Sequence, residues 1–303
     1  MSTVREALEA GVALLREAGS ESPRLDAELL LGHVVGLERS GVLAHLEAPL
    51  GEGQRASYEG LLERRAAGEP VAYIRGIKEF FGLAFGVDAR ALIPRPETER
   101  LVELALARIT ERLTASPRPP GSKPLRVIDV GTGSGAIAVT LAVVLRRRGY
   151  GVAVRFVASD TSPEALDLAL ENAVGHGVGD LIDFRQADLL DPAVQVGGRS
   201  DLVVANLPYV PSAVVPELPI AASFEPIVAL DGGRDGLDLL RRLMAALPEG
   251  VAADGGALLE IASDQADGVR LAAARLLPGW PIEIHADLAG RPRVAELRRP
   301  SAG

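Results

Sequence analysis

The run DLVVAN, Asp201 to Asn206, reads as a buried strand, and it runs directly into Asn206-Leu207-Pro208-Tyr209. These residue types in this order can bind a planar NH2 group. A carboxamide nitrogen is a poor nucleophile, because its lone pair is delocalised into the carbonyl. Asn206 Oδ1 and the backbone carbonyl of Leu207 offer one acceptor to each of its two hydrogens. Held in this way, the nitrogen turns its lone pair toward an electrophile, and the positive charge developing on it is stabilised. Pro208 fixes the turn, and the Tyr209 ring can pack on the amide plane. Alignment at roughly 3 Å then provides much of the rate, with no general base needed beforehand. The pattern points to methylation of a planar NH2 group.

A second constellation precedes it. DVGTGSGA, Asp129 to Ala136, lies between a strand-like and a helix-like segment. Gly131 permits a tight turn, and Gly133 and Gly135 expose bare backbone. With Thr132 and Ser134 they form a loop in front of a helix N-terminus that offers N–H groups to an anion. The string fits the dinucleotide fingerprint through Gly131, Gly133 and Ala136. It equally fits the loop that holds the carboxylate of S-adenosylmethionine in Rossmann-like methyltransferases. The loop alone does not choose. Asp160 ends the next strand, in VASDTSPEAL, where a carboxylate can accept both ribose hydroxyls; Ser162 is better placed to cap the following helix. Asp188 and Leu189, just past the third strand, are expected beside an adenine. The Asn206 motif makes the choice, since hydride transfer has no use for it.

These loops need a scaffold. From Leu125 the pattern is strand, turn and helix, repeated: LRVIDV, AIAVTLAVVLRRR, VAVRFVAS, SPEALDLALENAV, LIDFRQ, DLVVAN, LDLLRRLMAAL and GALLEIA. Such alternation predicts a parallel sheet covered on both faces, with ligands at the carboxyl ends of its strands. PIEIHADLAGRPRVAELRR predicts a closing antiparallel hairpin. The first 70 or so residues carry leucines at helical spacing and predict a bundle of about four helices, one starting at Ser22-Pro23 with Asp26 and Glu28 in its first turn. VAYIRGIKEFFGLAFGV predicts a hairpin. In IPRPETERLVELALARI, Pro96 suits a first helical position. TASPRPPGSKP reads as a stiff linker. The expected organisation is a helical domain over 1–72, a hairpin linker over 73–96 and an α/β domain over 97–303.

Composition narrows the alternatives. The 303 residues include no cysteine and only four histidines, so disulfides, thiolate chemistry and a metal site are not expected. A formal net charge of -9 argues against stable nucleic-acid binding. The apolar stretches fall short of the roughly 20 residues that span a bilayer. A cytoplasmic, membrane-free protein acting as a monomer is expected.

With those motifs in hand, the sequence resembles the release factor glutamine methyltransferases over nearly its whole length. EFFGLAFGVDARALIPRPETERLV is similar to that family's linker signature, PRLDAELLLGHVVG to its N-terminal domain, FEPIVALDGGRDGLDLLRRL to the segment after its active-site motif, and GRPRVAEL to its closing strand. The resemblance implies a Rossmann-like class I methyltransferase domain with a seven-stranded, mostly parallel sheet whose last strand is antiparallel, beside a small helical domain that helps hold the substrate protein. It implies S-adenosylmethionine as donor, S-adenosylhomocysteine as product, and the glutamine of the Gly-Gly-Gln motif of class 1 peptide-chain release factors as acceptor. By motif position, Gly131, Thr132, Gly133, Ser134, Gly135, Asp160, Asp188, Leu189 and Asn206 would bind the cofactor. The acceptor would meet Asn206, Leu207, Pro208 and Tyr209. Leu207 departs from the family's usual Pro but keeps its carbonyl, and Ala262 stands where Gly is frequent. A ribosomal-protein glutamine methyltransferase and an adenine-N6 DNA methyltransferase are the alternatives; the latter should carry a basic target-recognition region, and this acidic chain shows none.

Overall fold

The computed structural model describes residues 3–115, 122–191 and 197–301, and these divide into two compact units. Most of the Pro-rich linker expected at 114–124 lies outside the described residues. The first unit is Met1–Ile77 with Leu218–Phe224; the second is Lys78–Glu217 with Glu225–Gly303.

The first unit is helical: α1 (Val4–Glu17), α2 (Pro23–Val35), α3 (Arg39–Ala44), α4 (Glu52–Ala66) and α5 (Val71–Arg75). A capping box starts α1, with Glu6 N donating to Thr3 Oγ1 at 3.2 Å and Thr3 N to Glu6 Oε2 at 3.0 Å. Leu8, Leu15, Leu30, Leu31, Tyr58 and Ile74 meet in its core. Of the two acids expected in the first turn of α2, Asp26 lies there and Glu28 falls in the next turn, and both are buried and paired. Asp26 is buried and accepts from Ser20, Ser22 and Arg65 at 2.8–2.9 Å. Glu28, wholly buried, is paired with Arg24 and Arg39. Breaking such a pair leaves an uncompensated buried charge. One expectation needs correction. Val71–Arg75, read as the start of a β-rich stretch, is helical: Pro70 opens the turn and Gly76, at φ +69°, closes it. The hairpin is shorter, β1 (Ile77–Phe80) and β2 (Leu83–Gly86).

The second unit continues with α6 (Glu99–Ala115), β3 (Leu125–Val130), α7 (Ala136–Arg147), β4 (Val154–Asp160), α8 (Pro163–Gly175), β5 (Ile182–Gln186), β6 (Ser200–Ala205), α9 (Asp238–Gly250), β7 (Val251–Glu260), α10 (Ala266–Leu276), β8 (Ile282–Ala286) and β9 (Pro292–Arg298). The sheet has seven strands in the order β5-β4-β3-β6-β7-β9-β8. Its first five strands are parallel, and β9 runs antiparallel between β7 and β8. Central strands of a doubly covered sheet must be apolar on both faces. Val127, Ile128, Val203 and Val204 accordingly have no exposed surface. The hairpin is fastened to α8 through Asn172, which accepts from Gly86 N at 2.7 Å and donates to the carbonyls of Gly86 and Ser134. Helix α10 was not legible in the sequence, because it buries only Val269 and Ala273. Among the described residues, no helix is long and apolar enough to cross a membrane.

Two mid-helix glycines should respond oppositely to alanine. A Cβ on Gly11 would sit 2.3 Å from Tyr58 Oη, a buried hydroxyl that donates to Ala27 O, whereas a Cβ on Gly60 meets nothing. Gly60→Ala is expected to stabilise by about 0.5–1 kcal/mol through helix propensity, and Gly11→Ala to destabilise by about 1–3 kcal/mol through overpacking. Thermal melts of the two variants check this.

Candidate active site

The carboxyl ends of β3, β4, β5 and β6 open on one cavity of about 700 Å³. Gly131, Thr132, Gly133 and Ser134 line it after β3, Asp160 at the end of β4, Asp188 and Leu189 after β5, and Asn206, Leu207 and Pro208 after β6. Nine of the expected cofactor and acceptor residues are thereby joined to Asn206 in one space. Two others stand elsewhere. Gly135 is the N-cap of α7 at φ +80°, and its Cβ would meet Ala169 at 3.1 Å, so it serves helix packing instead of facing the cavity. Tyr209 lies beyond the lining. Charges on Glu260, Arg293, Arg95 and Glu97 reach its phenol, and burial, followed by Glu260, raises its pKa.

The glycine loop is fixed from behind. Gly131 N and Thr132 N donate to Ser159 O, and Gly133 N donates to Asp160 Oδ2 at 2.9 Å. Asp160 Oδ1 accepts from Ser162 N at 3.0 Å, while Ser162 Oγ caps α8 through Ala165 N. Asp160 therefore ties two loops together, and each carboxylate oxygen keeps acceptor capacity for a diol. Asp129 was read only as the end of a strand, yet it is the acid under the loop. Wholly buried, it accepts from Thr132 Oγ1 at 2.7 Å and Ala138 N at 3.2 Å, and burial pushes its carboxyl up to about 7. Asp188 is exposed and paired with Arg242 of α9 at 2.6 Å. Leu189 takes φ +52°, a strained region for a residue with a Cβ.

Asn206 is half-buried and donates from Nδ2 to Thr98 Oγ1 at 3.0 Å. Thr98 ends a 3-10 turn, Pro96–Thr98, whose approach is anchored by buried Glu225: its carboxylate accepts from Ile93 N at 3.2 Å and Arg95 at 2.5 Å. Leu207, expected to matter through its carbonyl alone, also sends its side chain into the core, and a Cβ on Gly131 would sit 3.0 Å from it. Pro208 and Tyr209 are clasped by the segment Gly232 to Gly236. A Cβ on Gly232 would lie 2.6 Å from Pro208 O, and one on Gly236 2.1 Å from Tyr209 O. Only glycine fits at these close approaches. Gln265 then donates to the carbonyls of Tyr209 and Gly236. Outside the lining of this cavity, Glu283, His285 and Glu296 cluster on β8 and β9, but Glu296 is already held by Arg108 and Arg298.

Residues 6–76 match the PrmC N-terminal domain family, and residues 122–228 match a methyltransferase domain family. A release factor glutamine methyltransferase of Moorella thermoacetica is 40% identical over 292 residues, 96% of each chain. One of Bacillus subtilis is 37% identical over 295 residues, 97% of each chain. The chain belongs to the release factor glutamine methyltransferase family. Among solved structures, the hMettl16 catalytic domain in complex with MAT2A 3′UTR hairpin 6 is similar at a TM-score of 0.53 and 15% identity, covering 82% of each chain, which shows the fold alone. Membership in this methyltransferase family accords with the Asn206 motif and removes the nicotinamide alternative that the glycine loop had left open.

Two outcomes are expected. Gly236→Ala must push on the Tyr209 carbonyl at φ +75°, and should lower both the melting temperature and turnover. Asp129 has a folded pKa above its unfolded one. Its contribution to stability is therefore complete below about pH 4 and is lost as pH rises through about 7. Asp129→Asn should flatten the fall in melting temperature across that window, and an unchanged pH profile would contradict the assignment.

Proposed function

We propose that this enzyme transfers a methyl group from S-adenosylmethionine to the side-chain amide nitrogen, N5, of the glutamine in the Gly-Gly-Gln motif of class 1 peptide-chain release factors. The observation that carries the reading is Asn206: its Nδ2 is committed to Thr98, which leaves Oδ1 to accept from an NH2 group at the cavity. The family resemblance supplies the identity of the acceptor.

S-adenosylmethionine, when bound, supplies an electrophilic methyl on a sulfonium. The residues present suit such a ligand. Gly131 to Ser134 and the N-terminus of α7 offer backbone donors to its carboxylate. Asp160 has acceptor capacity for its ribose diol, and Asp188 and Leu189 line the same cavity. The acceptor glutamine then presents its two N–H groups to Asn206 Oδ1 and Leu207 O. These contacts strengthen as the nitrogen gains positive charge, so they favour the transition state over the bound ground state. One proton is left over on the methylated nitrogen and leaves to water. Ile227 and Val228 are exposed apolar residues on the cavity wall, a surface suited to a protein acceptor.

Labelled S-adenosylmethionine incubated with purified release factor, followed by peptide mapping, tests the reading. Label on the Gly-Gly-Gln glutamine is the expected result. Label on ribosomal protein but not on release factor would transfer the assignment to that acceptor. Asn206→Ala should leave cofactor binding within a few-fold and cut turnover by about 10²–10³-fold, as loss of a transition-state hydrogen bond does elsewhere. Asp160→Ala should instead act on cofactor affinity, weakening it about tenfold or more; an unchanged dissociation constant by calorimetry would refute its role.

A further inference from the structure

The amide of Asn206 could bind a substrate NH2 in one orientation only. Turned over, it would offer Nδ2 donors to a group that has only donors to give. The Thr98 contact does not by itself prevent this, because a hydroxyl can donate or accept. What can break the symmetry stands behind Thr98. Glu260, the last residue of β7, is wholly buried, with the Thr98 hydroxyl beside its carboxyl. Among the described residues, neither Glu260 oxygen has a hydrogen bond of fully formed geometry. The groups facing that carboxyl are Glu97 and Thr98 from the 3-10 turn, Tyr209 from the loop after β6, and Arg293 from β9.

An ionised carboxylate can only accept. It accepts a hydrogen bond from the Thr98 hydroxyl and leaves Thr98 Oγ1 as an acceptor for Asn206 Nδ2, so Oδ1 faces the cavity. A protonated Glu260 can donate to Thr98. The Thr98 proton is then free to go to Asn206 Oδ1, and the amide can turn over. We propose that Thr98 and Glu260 are positioning residues, and that an ionised Glu260 sets the direction of the hydrogen bonds that hold the Asn206 carbonyl toward the acceptor. The inference rests on the amide-acceptor reading of Asn206 given above.

Burial pushes the Glu260 carboxyl up to about 7; Thr98 and Arg293 work against that shift and Glu97 adds to it. The orientation of Asn206 is thereby sensitive to pH near neutrality. Asp129, under the glycine loop, is raised to about 7 as well. A test must separate the two.

The experiment is methyl transfer to intact release factor at saturating S-adenosylmethionine, across pH 6 to 9, with cofactor affinity measured by calorimetry. Thr98→Val is expected to lower kcat about tenfold to a hundredfold, with the cofactor dissociation constant within about twofold. Thr98→Ser restores the hydroxyl and should restore kcat. In the unaltered enzyme, kcat should fall as pH drops below about 7. In Glu260→Gln that acid limb should disappear; Asp129 is still in place there, so a limb caused by Asp129 would survive. An unchanged kcat in Thr98→Val, a Thr98→Ser variant no better than the valine one, or an acid limb that survives Glu260→Gln would overturn the inference while leaving the methyl-transfer reading intact. An unaltered enzyme that methylates no glutamine would overturn that reading and this inference with it.

Discussion

The hydrogen bond from Asn206 to Thr98 joins the end of a central strand to the turn that precedes α6. A carboxamide is nearly symmetric in shape but opposite in chemistry at its two ends. A site that methylates an amide must therefore specify which end of its own amide faces the substrate. The surrounding structure acts on that choice. Glu225 anchors the chain leading to Thr98, and the glycines at 232 and 236 let a loop close over the backbone of Pro208 and Tyr209. Replacing either glycine would force apart the segments that keep the strand end in place.

The sheet does the rest of the positioning. Parallel strands bring their carboxyl ends to one edge, so the loops after β3, β4, β5 and β6 meet without long excursions. Two buried acids, Asp129 at the end of β3 and Glu260 at the end of β7, lie at this edge, and burial raises both to about 7. Burial of a carboxyl costs free energy once it ionises. Asp129 offsets part of the cost by accepting from Thr132 and Ala138. For Glu260 the Thr98 hydroxyl and the charge of Arg293 work in the same direction, and that hydroxyl is the one that meets Asn206.

Much of this was legible in the residues. Apolar runs of six or so residues alternating with helical segments sufficed for the parallel strands, and two strand-like runs around Gly290-Arg291-Pro292 for the closing hairpin; the seven-stranded sheet with its reversed last strand came from the family resemblance. Asn206 and Asp160 stood out because each is a polar residue closing an apolar strand, and both line the cavity. What escaped is informative. Thr98 and Glu260 are separated from Asn206 by about a hundred and about fifty positions in the sequence, and ordinary helix-turn and strand-end residues carry no mark of a tertiary partner. Helix α10 has too narrow an apolar face to show a period. Val71–Arg75 has β-rich composition, but Pro70 and Gly76 impose a helical turn. Gly135 has the look of a ligand-binding glycine, although its hydrogen faces α8.

The central claim is that Asn206 Oδ1 and Leu207 O together require an acceptor nitrogen with two hydrogens. A glutamine that has gained one methyl retains a single N–H and can no longer fill both acceptors. The direct measurement is the mass of the acceptor peptide after exhaustive reaction with excess S-adenosylmethionine. One methyl on the glutamine, with no further addition at long times, is the predicted result; a dimethylated glutamine would contradict the claim.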